Sequence, residues 1–149
     1  MEKQQKLVAA LENGSVIDHI PTDKLFTVAQ LLQLELCTEP VLIGNNLESQ
    51  VMGKKGIIKI AGKFLSDAEI SKLAVLCPNM RLTVIRNYEV AEKREIGLPE
   101  KLTNIVKCAN PVCITNNEPM KTVFYRKDIE TLKCRYCGKE QKLKDIKLK

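Results

Sequence analysis

The segment KCANPVCIT, residues 107 to 115, contains two cysteines, Cys108 and Cys113, separated by four residues. Twenty residues beyond Cys113, the segment LKCRYCGKE contains Cys134 and Cys137, separated by two residues. Zinc prefers a tetrahedral set of soft sulfur ligands, and each close pair of cysteines can supply two of them. This spacing therefore predicts a four-cysteine zinc site with one ion per chain. Such a site has no open coordination position, so its zinc is expected to be structural.

The sequence around these cysteines predicts a small all-β module that needs a metal ion or disulfide bonds for stability. Short alternating stretches bounded by turn residues are typical of strands, and here they are IVKC, KTVFYRKD, TLKCRY and EQKLKDIKL. About 50 residues bury little apolar surface, and modules of this size usually depend on a metal or on disulfides. Two disulfides, or four unrelated buried cysteines, are the alternatives. A reducing compartment disfavours the first, and the paired spacing disfavours the second.

The composition predicts a cytoplasmic globular protein without a membrane partner. The first residues, MEKQQKLVAALENG, carry charges and no long apolar run, so they do not resemble a secretory signal. No stretch approaches the ~18 to 20 apolar residues of a membrane span. We therefore expect the cytoplasm, where thiols stay reduced.

The charge divides the chain into two units. Residues 1–97 contain 12 Lys and Arg against 12 Asp and Glu, whereas residues 98–149 contain 12 against 6. The whole excess of +6 therefore lies in the second part. The segment GLPEKLTN, in which Gly97 and Pro99 interrupt regular structure, is expected to join the two units.

Residues 15–97 predict a β-α-β-β-α-β order. Alternating β-branched stretches bounded by Gly and Pro predict strands, which fall within 15–21, 40–47, 52–62 and 81–97, the last being one long strand or two short ones. Apolar stripes predict helices over 22–36 and 66–77. This order is typical of the ferredoxin-like split βαβ arrangement, an antiparallel sheet with both helices on one face. The predicted fold class is α+β, followed by the small zinc unit.

Caps and apolar stripes define the two helices. Thr22 is the expected N-cap of the first helix, and Ser66 with Glu69 forms a capping box at the start of the second. The stripe of the first helix consists of Leu25, Val28, Ala29, Leu32 and Leu36. Cys37 and Cys77 have no paired cysteine nearby and are expected to be small buried apolar side chains.

Three polar features of the first unit have both a functional and a structural interpretation. Lys59 interrupts the apolar run IIKI, so the sheet face that it shares with Ile57 is either solvated or in contact with a ligand. Asp18 and His19 are neighbours on a strand and should point to opposite faces, as solvated and packed residues or as groups that contact a ligand from two sides. The segment MGKKG predicts a solvated hairpin turn.

Several of these segments together resemble one family. The regulatory chain of aspartate carbamoyltransferase has similar stretches: GSVIDHIP (14–21), GIIKI (56–60), RNYEV (86–90) with the Lys93 that follows it, LPE (98–100), and the cysteine set. The likeness extends over essentially the whole chain. It implies a non-catalytic subunit, with a nucleotide-binding unit at residues 1–97 and a zinc unit at 98–149 that contacts the catalytic chain.

The resemblance also implies effectors and partners. In this family CTP lowers the activity of the partner enzyme, ATP competes for the same site and raises it, and UTP reinforces CTP in some members. A second regulatory chain completes a homodimer that bridges catalytic trimers. The implied nucleotide-binding residues are Val8, Ala9, Leu11, Asp18, His19, Ile57, Lys59, Ile85, Tyr88, Val90 and Lys93.

Specific roles follow from the same resemblance. Asp18 is expected to accept ribose hydroxyls, His19 to lie near the phosphates, Lys59 to reach the ribose and base, and Lys93 to bind the triphosphate. Ala9, Thr83 and Val51 depart from the pattern of well-known bacterial members, the first two near the base and the third near the region of a second nucleotide. Val112 departs from it in the zinc loop, where Asn110 is retained.

A zinc-ribbon protein that binds nucleic acid is the alternative, because sheets of this type and basic zinc modules both occur in such proteins. RNA-binding sheets stack bases on exposed aromatic residues. In the first unit, the predicted strand GIIKIAG offers none and RLTVIRNYEV offers only Tyr88. An enzyme is disfavoured, since one histidine and a closed metal site provide no evident acid–base pair.

Overall fold

The computed structural model describes residues 11–149. The first part of the chain forms five strands: β1 (Gly14–Ile20), β2 (Val41–Ser49), β3 (Gly53–Ala61), β4 (Met80–Arg86) and β5 (Glu89–Ile96). Two helices, α1 (Leu25–Leu31) and α2 (Asp67–Leu76), connect β1 to β2 and β3 to β4. The strands form one antiparallel sheet in the order β2-β3-β1-β4-β5. The ferredoxin-like prediction is confirmed, and β5 adds a fifth strand at one edge.

The segment 81–97 forms two strands because a two-residue turn separates them. Asn87 and Tyr88 both have left-handed backbone conformations, with φ of 53° and 65°. A turn with positive φ at both central residues matches the twist of a two-stranded hairpin. The Tyr88 amide also donates a hydrogen bond to the Glu12 carbonyl, at 2.9 Å. This bond fixes the turn beside the start of β1.

The core of the first unit lies between the sheet and its helices. Ile17 of β1 pairs with Ile58 of β3 and with Leu82 of β4, so these side chains share one face of the sheet. All three are 2% exposed or less, and Leu25 of α1 and Leu73 of α2 are fully buried with them. Burial of one such side chain stabilises the fold by about 1.5–3 kcal/mol. The helices therefore cover this inner face of the sheet, and they do not cover the outer face.

Helix α1 is shorter than predicted. Lys24, and not Thr22, occupies the N-cap position, and no side chain caps the helix there. At the other end Gln33 adopts a left-handed conformation, with φ of 53°, and the chain continues as a 3-10 turn. Leu36 consequently leaves the apolar stripe and is 69% exposed.

Helix α2 begins and ends as predicted. The Ser66 hydroxyl accepts a hydrogen bond from the Glu69 amide at 3.2 Å, and the Glu69 carboxylate accepts one from the Ser66 amide at 3.0 Å. This reciprocal pair is the predicted capping box. Cys77 follows the helix and is buried, whereas Cys37 is half-buried against the same core.

The second part of the chain consists mainly of short strands. They are β6 (Lys101–Thr103), β7 (Val106–Lys107), β8 (Val123–Asp128), β9 (Thr131–Cys134), β10 (Glu140–Lys142) and β11 (Lys147–Leu148). Four of them form a sheet in the order β10-β9-β8-β6, and β7 pairs with β11. A four-residue helix, α3 (Ile114–Asn117), interrupts the predicted all-β pattern. Within residues 11–149, no helix is long and apolar enough to cross a bilayer.

The segment between the two parts is held in place by the second part. The Arg126 guanidinium on β8 donates a hydrogen bond to the Leu98 carbonyl at 2.8 Å. The Arg126 amide donates another to the Glu100 carbonyl, also at 2.8 Å. Leu98 is 8% exposed and packs in a hydrophobic cluster that continues from one part into the other. The connection is therefore ordered, and β6 occupies part of the segment that was expected to be a linker.

Candidate metal centre and ligand-binding face

The four predicted cysteines meet at one point of the second part. Cys108 follows β7, Cys113 immediately precedes α3, Cys134 ends β9, and Cys137 lies in the next turn. The Sγ atoms of Cys108 and Cys137 are 3.6 Å apart, and those of Cys113 and Cys134 are 3.8 Å apart. All four sulfurs lie within 4.8 Å of one another. This arrangement can hold one metal ion.

The spacing of the sulfurs fits a tetrahedral metal with soft ligands. Zinc–sulfur bonds of about 2.3 Å in a tetrahedron place the sulfurs about 3.8 Å apart. The two measured separations agree with this value. Three of the cysteines are buried and Cys137 is exposed, so solvent reaches the centre from one side. The residues present therefore fit a closed, structural ion.

Two asparagines, which the sequence interpretation missed, hold the first cysteine loop. The side-chain amide of Asn116 donates to the carbonyls of Cys108 and Asn110, at 2.9 and 2.8 Å. The side-chain amide of Asn117 donates to the Cys113 carbonyl at 2.9 Å. These bonds satisfy loop carbonyls that no strand partner reaches. The consecutive asparagines after the second cysteine were the only available signal.

The second cysteine loop closes around a glycine, as its sequence predicted. Gly138 has a φ of 76°, in the left-handed region that glycine adopts readily. Its amide donates to the Cys134 carbonyl, and the Cys134 amide donates to the Lys139 carbonyl, both at 3.0 Å. The buried Gln141 joins the two loops, because its side-chain oxygen accepts a hydrogen bond from the Ala109 amide.

The sulfurs differ in their acidity. Burial, together with the neighbouring sulfurs, raises the pKa of Cys108 to about 12. Burial acts in the same direction on Cys137, but hydrogen bonds from the Lys139 amide and the Asn110 side chain outweigh it and lower the pKa of Cys137 to about 7. A divalent ion binds thiolates, so its charge must drive the deprotonation of the buried sulfurs.

The outer face of the first sheet carries several of the implied nucleotide-binding residues. Strand pairing places Lys59 opposite Val16, Val16 opposite Thr83, and Thr83 opposite Lys93. Directly paired residues share a face, so both lysines project from the face away from the helices. Adjacent strands are about 4.8 Å apart, so the two lysine backbones are about 14 Å apart across three strand intervals. Burial lowers the pKa of Lys59.

Other implied residues lie on the same face or at its end. Ile85 pairs with Gly14 and with Val90, in the row that leads to the β4–β5 turn. Tyr88 lies in that turn and is 66% exposed. Leu11 contacts the backbone at Gly14, where its Cδ2 lies 2.9 Å from the position that a Cβ would take. Ile57 alternates with the inward Ile58 and so shares the face of Lys59. Val8 and Ala9 lie outside the described residues.

Asp18 has a partner that the sequence interpretation missed. The Lys55 ammonium lies 2.9 and 3.0 Å from the two carboxylate oxygens of Asp18. Lys55 is 4% exposed, so the expectation of a solvated turn over MGKKG is wrong at this residue. β3 begins at Gly53, so Lys55 belongs to the strand and shares the outer face of Ile57 and Lys59, where it pairs with Asp18. A buried ammonium is stable only next to a compensating charge.

The expectation that Asp18 and His19 point apart is also wrong. The pairing of β1 with β3 is interrupted between Ile17 and Ile20, and His19 has a φ of 59°. This bulge brings His19 Nδ1 to 3.6 Å from an Asp18 oxygen. Burial lowers the pKa of His19 below its ordinary value of 6.5, and the positive charges of Arg81 and Lys55 act in the same direction, against Asp18.

The buried Nδ1 atom of His19 has no hydrogen-bond partner among the described residues. The region around His19 therefore combines an imidazole, the Asp18 carboxylate and the cations Lys55 and Arg81. Such a set can bind a polar, anionic ligand, because each group offers a different hydrogen-bonding capacity.

Comparison with known proteins gives a consistent result. Residues 6–97 match the family model described as "Aspartate carbamoyltransferase regulatory chain, allosteric domain", and residues 100–147 match the metal binding domain of the same chain. An aspartate carbamoyltransferase regulatory chain from Phocaeicola vulgatus is 59% identical over 148 residues, which cover 98% of this chain and 96% of that protein. The regulatory chain of Bacteroides fragilis is 58% identical, with 97% and 95% covered, and that of Pyrococcus abyssi is 40% identical, with 93% and 94% covered.

The fold and the cysteine centre define a two-part α+β protein with a split βαβ sheet and a β-rich metal-binding module. Both family models match, and together they span nearly the whole chain. The chain belongs to the family of aspartate carbamoyltransferase regulatory chains. The resemblance noted from the sequence is confirmed.

Proposed function

We propose that this chain is the non-catalytic, allosteric subunit of an aspartate carbamoyltransferase and that it binds CTP and ATP on the outer face of its first sheet. A divalent zinc ion in the four-cysteine centre organises the second unit, which docks onto the catalytic chains. Residues 1–97 and 98–149 act as the nucleotide-binding and docking units. The protein works in the cytoplasm, where its thiols remain reduced.

One observation carries the nucleotide proposal: strand register places Lys59 and Lys93 on one face, with Val16 and Thr83 between them. Two ammonium groups separated by small and apolar side chains suit a ligand with a flat base and a polyphosphate. Asp18 and His19 follow Val16 on β1 and offer a carboxylate and a ring nitrogen that has no hydrogen-bond partner within residues 11–149. The inner face is filled by the helices, which leaves the outer face for the ligand.

The alternative of nucleic-acid binding has less support. The central rows of the outer face present Val16, Lys59 and Thr83 where an RNA-binding sheet presents aromatic rings. The basic excess of the second unit instead suits an acidic surface on a catalytic chain. A second regulatory chain completes the proposed homodimer, and UTP is a further candidate effector.

The nucleotide proposal is tested by calorimetric titration of CTP and ATP into the purified chain. We expect binding of both nucleotides at one shared site, and weaker binding after Lys59→Gln or Lys93→Gln, because each change removes a charge-assisted contact worth about 1.5–3 kcal/mol. Lys72→Gln on α2 is the matched control, since α2 packs against the opposite face. Equal loss in all three variants, or no binding at all, would reject the site.

The regulatory proposal is tested with the cognate catalytic trimer. Aspartate saturation curves are measured with the trimer alone, with the added chain, and with the chain plus CTP or ATP. An allosteric effector must bind the two states of the complex unequally, and typical coupling is about 1–3 kcal/mol. We expect CTP to lower and ATP to raise activity at subsaturating aspartate. Curves that do not respond to the chain would refute the assignment.

A further inference from the structure

A cleft of about 500 Å³ lies between the two units, away from the outer face of the sheet. One wall is formed by the end of α2 and the residues after it, which include Val75, Leu76 and Pro78. The opposite wall comes from the second unit and includes Ile129, Leu143 and Ile146. The volume falls in the range of small-molecule sites, about 300–1,000 Å³.

The walls of this interdomain cleft are apolar, and its charges are mostly positive. Lys24, Lys142 and Lys144 line it, together with one carboxylate, Glu130. The Lys142 ammonium lies 3.1 Å from a carboxylate oxygen of Glu130, and the two charges compensate each other. Among residues 11–149, neither Lys24 nor Lys144 forms an ion pair. Two lysines without an ion-pair partner in this range therefore line a largely apolar cavity.

This combination selects the chemistry of a ligand. An apolar wall favours an aliphatic or aromatic body, and two ammonium groups favour an anionic head that can reach them. A cationic amphiphile of the same length meets the same walls but is repelled by the lysines. A purely hydrophilic anion gains nothing from the apolar side chains.

We propose that the interdomain cleft binds a small amphipathic anion, of the class of medium-chain carboxylates, with the carboxylate held by Lys24 and Lys144. The apolar body lies between Leu76 of the first unit and Ile146 of the second. Because its walls come from both units, the occupant contacts both at once. This site is separate from the proposed nucleotide site, so either can exist without the other.

The test uses the full chain loaded with zinc and labelled with nitrogen-15. Sodium octanoate is titrated while amide resonances are followed, and octylammonium chloride, which has the same chain length and the opposite charge, is titrated in parallel. We expect saturable octanoate shifts at Leu76, Ile129 and Leu143, and no saturable shifts with octylammonium. Absence of saturation, equal responses to both amphiphiles, or shifts confined to the outer face of the sheet would overturn the proposal.

The matched variants separate charge from fold. In the double variant Lys24→Gln, Lys144→Gln we expect the octanoate affinity to fall about tenfold, because two charge contacts near the surface are lost. Lys121→Gln, which removes an exposed lysine that does not line the cleft, should bind as the parent does. The unliganded spectra report whether each variant remains folded. Unchanged affinity in the folded double variant would also overturn the proposal.

Discussion

The two units of this chain contain similar amounts of strand but are stabilised by different means. In the first unit, a five-stranded sheet packs against two helices, and its interior is a continuous set of aliphatic side chains such as Ile17, Ile58 and Leu73. The second unit has shorter strands and a one-turn helix, and its four sulfurs converge within 4.8 Å. Stability in the first unit is spread over many contacts, whereas in the second unit we expect it to depend mainly on the cysteine centre.

The largest expected effect concerns the four-cysteine centre. Cys108→Ser removes one of four sulfurs, and structural zinc contributes about 10 kcal/mol or more to the folding of small zinc modules. We expect the metal content to fall from one ion per chain and the amide resonances of residues 101–148 to collapse. The resonances of residues 14–96 should persist, because the first sheet has its own core.

Cys37→Ser is the control for this experiment, since Cys37 is half-buried and lies outside the cysteine centre. It should retain the metal and the spectrum of the second unit. Simultaneous loss of both units in Cys108→Ser would show that they form one cooperative structure, and the contrast between them would then be wrong.

A smaller effect is expected from a cavity in the first unit. Ile58 is fully buried between the sheet and the helices. Ile58→Ala should lower the free energy of unfolding of this unit by about 2–5 kcal/mol, because transfer energy is lost and a cavity is left. Urea unfolding followed by circular dichroism measures the change. Metal content should stay constant, and release of the metal would contradict the independence of the two units.

The third effect in order of size concerns the buried ion pair of Lys55 and Asp18. Lys55→Met leaves the Asp18 carboxylate without its ammonium partner, and we expect a loss of about 1–3 kcal/mol in the free energy of unfolding. Lys54→Met, at the exposed neighbouring residue, is the control and should change stability by less than about 0.5 kcal/mol. If the two variants are equally stable, the pair contributes nothing and its role is limited to placing Asp18.

The smallest effect is a dependence on pH. Because burial lowers the pKa of His19 below 6.5, the unfolded chain takes up this proton at a higher pH than the folded chain does. The folded state is therefore favoured above pH 6.5 and loses stability as the pH falls through the lower, folded pKa. The charged groups that face the imidazole are Asp18, Arg81 and Lys55.

Urea unfolding of the parent and of His19→Gln between pH 5 and pH 8 measures this contribution. The difference between the two proteins isolates His19 from the other titrating groups. We expect the parent to lose more stability than the variant on acidification. An identical pH profile for both would show that His19 does not contribute.

Much of the architecture could be predicted from periodicity, caps and cysteine spacing. The capping box of Ser66 and Glu69 fixed the start of α2, and the alternation around Lys59 identified which side chains face the core. The paired spacing of the cysteines brought the four sulfurs together. These signals are local, so they survive without knowledge of the tertiary structure.

The errors came from features that depend on distant contacts. The bulge at His19 arises where the register between β1 and β3 shifts. No residue in the segment VIDHIP predicts such a bulge. Lys55 is buried because its ammonium pairs with the carboxylate of Asp18, which lies 37 residues away in sequence. Leu36 is exposed because Gln33 turns the chain away from the helix. In each case a tertiary partner overrides a local preference.

The contact between Arg126 and Leu98 would give an ion bound at the cysteine centre a role beyond local folding. Arg126 belongs to β8, whose neighbour β9 ends in Cys134. If the ion is removed and these strands separate, the guanidinium no longer fixes the connecting segment, and the orientation of one half relative to the other is released. The bound ion would then determine the angle between the two units as well as the structure of one of them, because its loss would make the connection between them flexible.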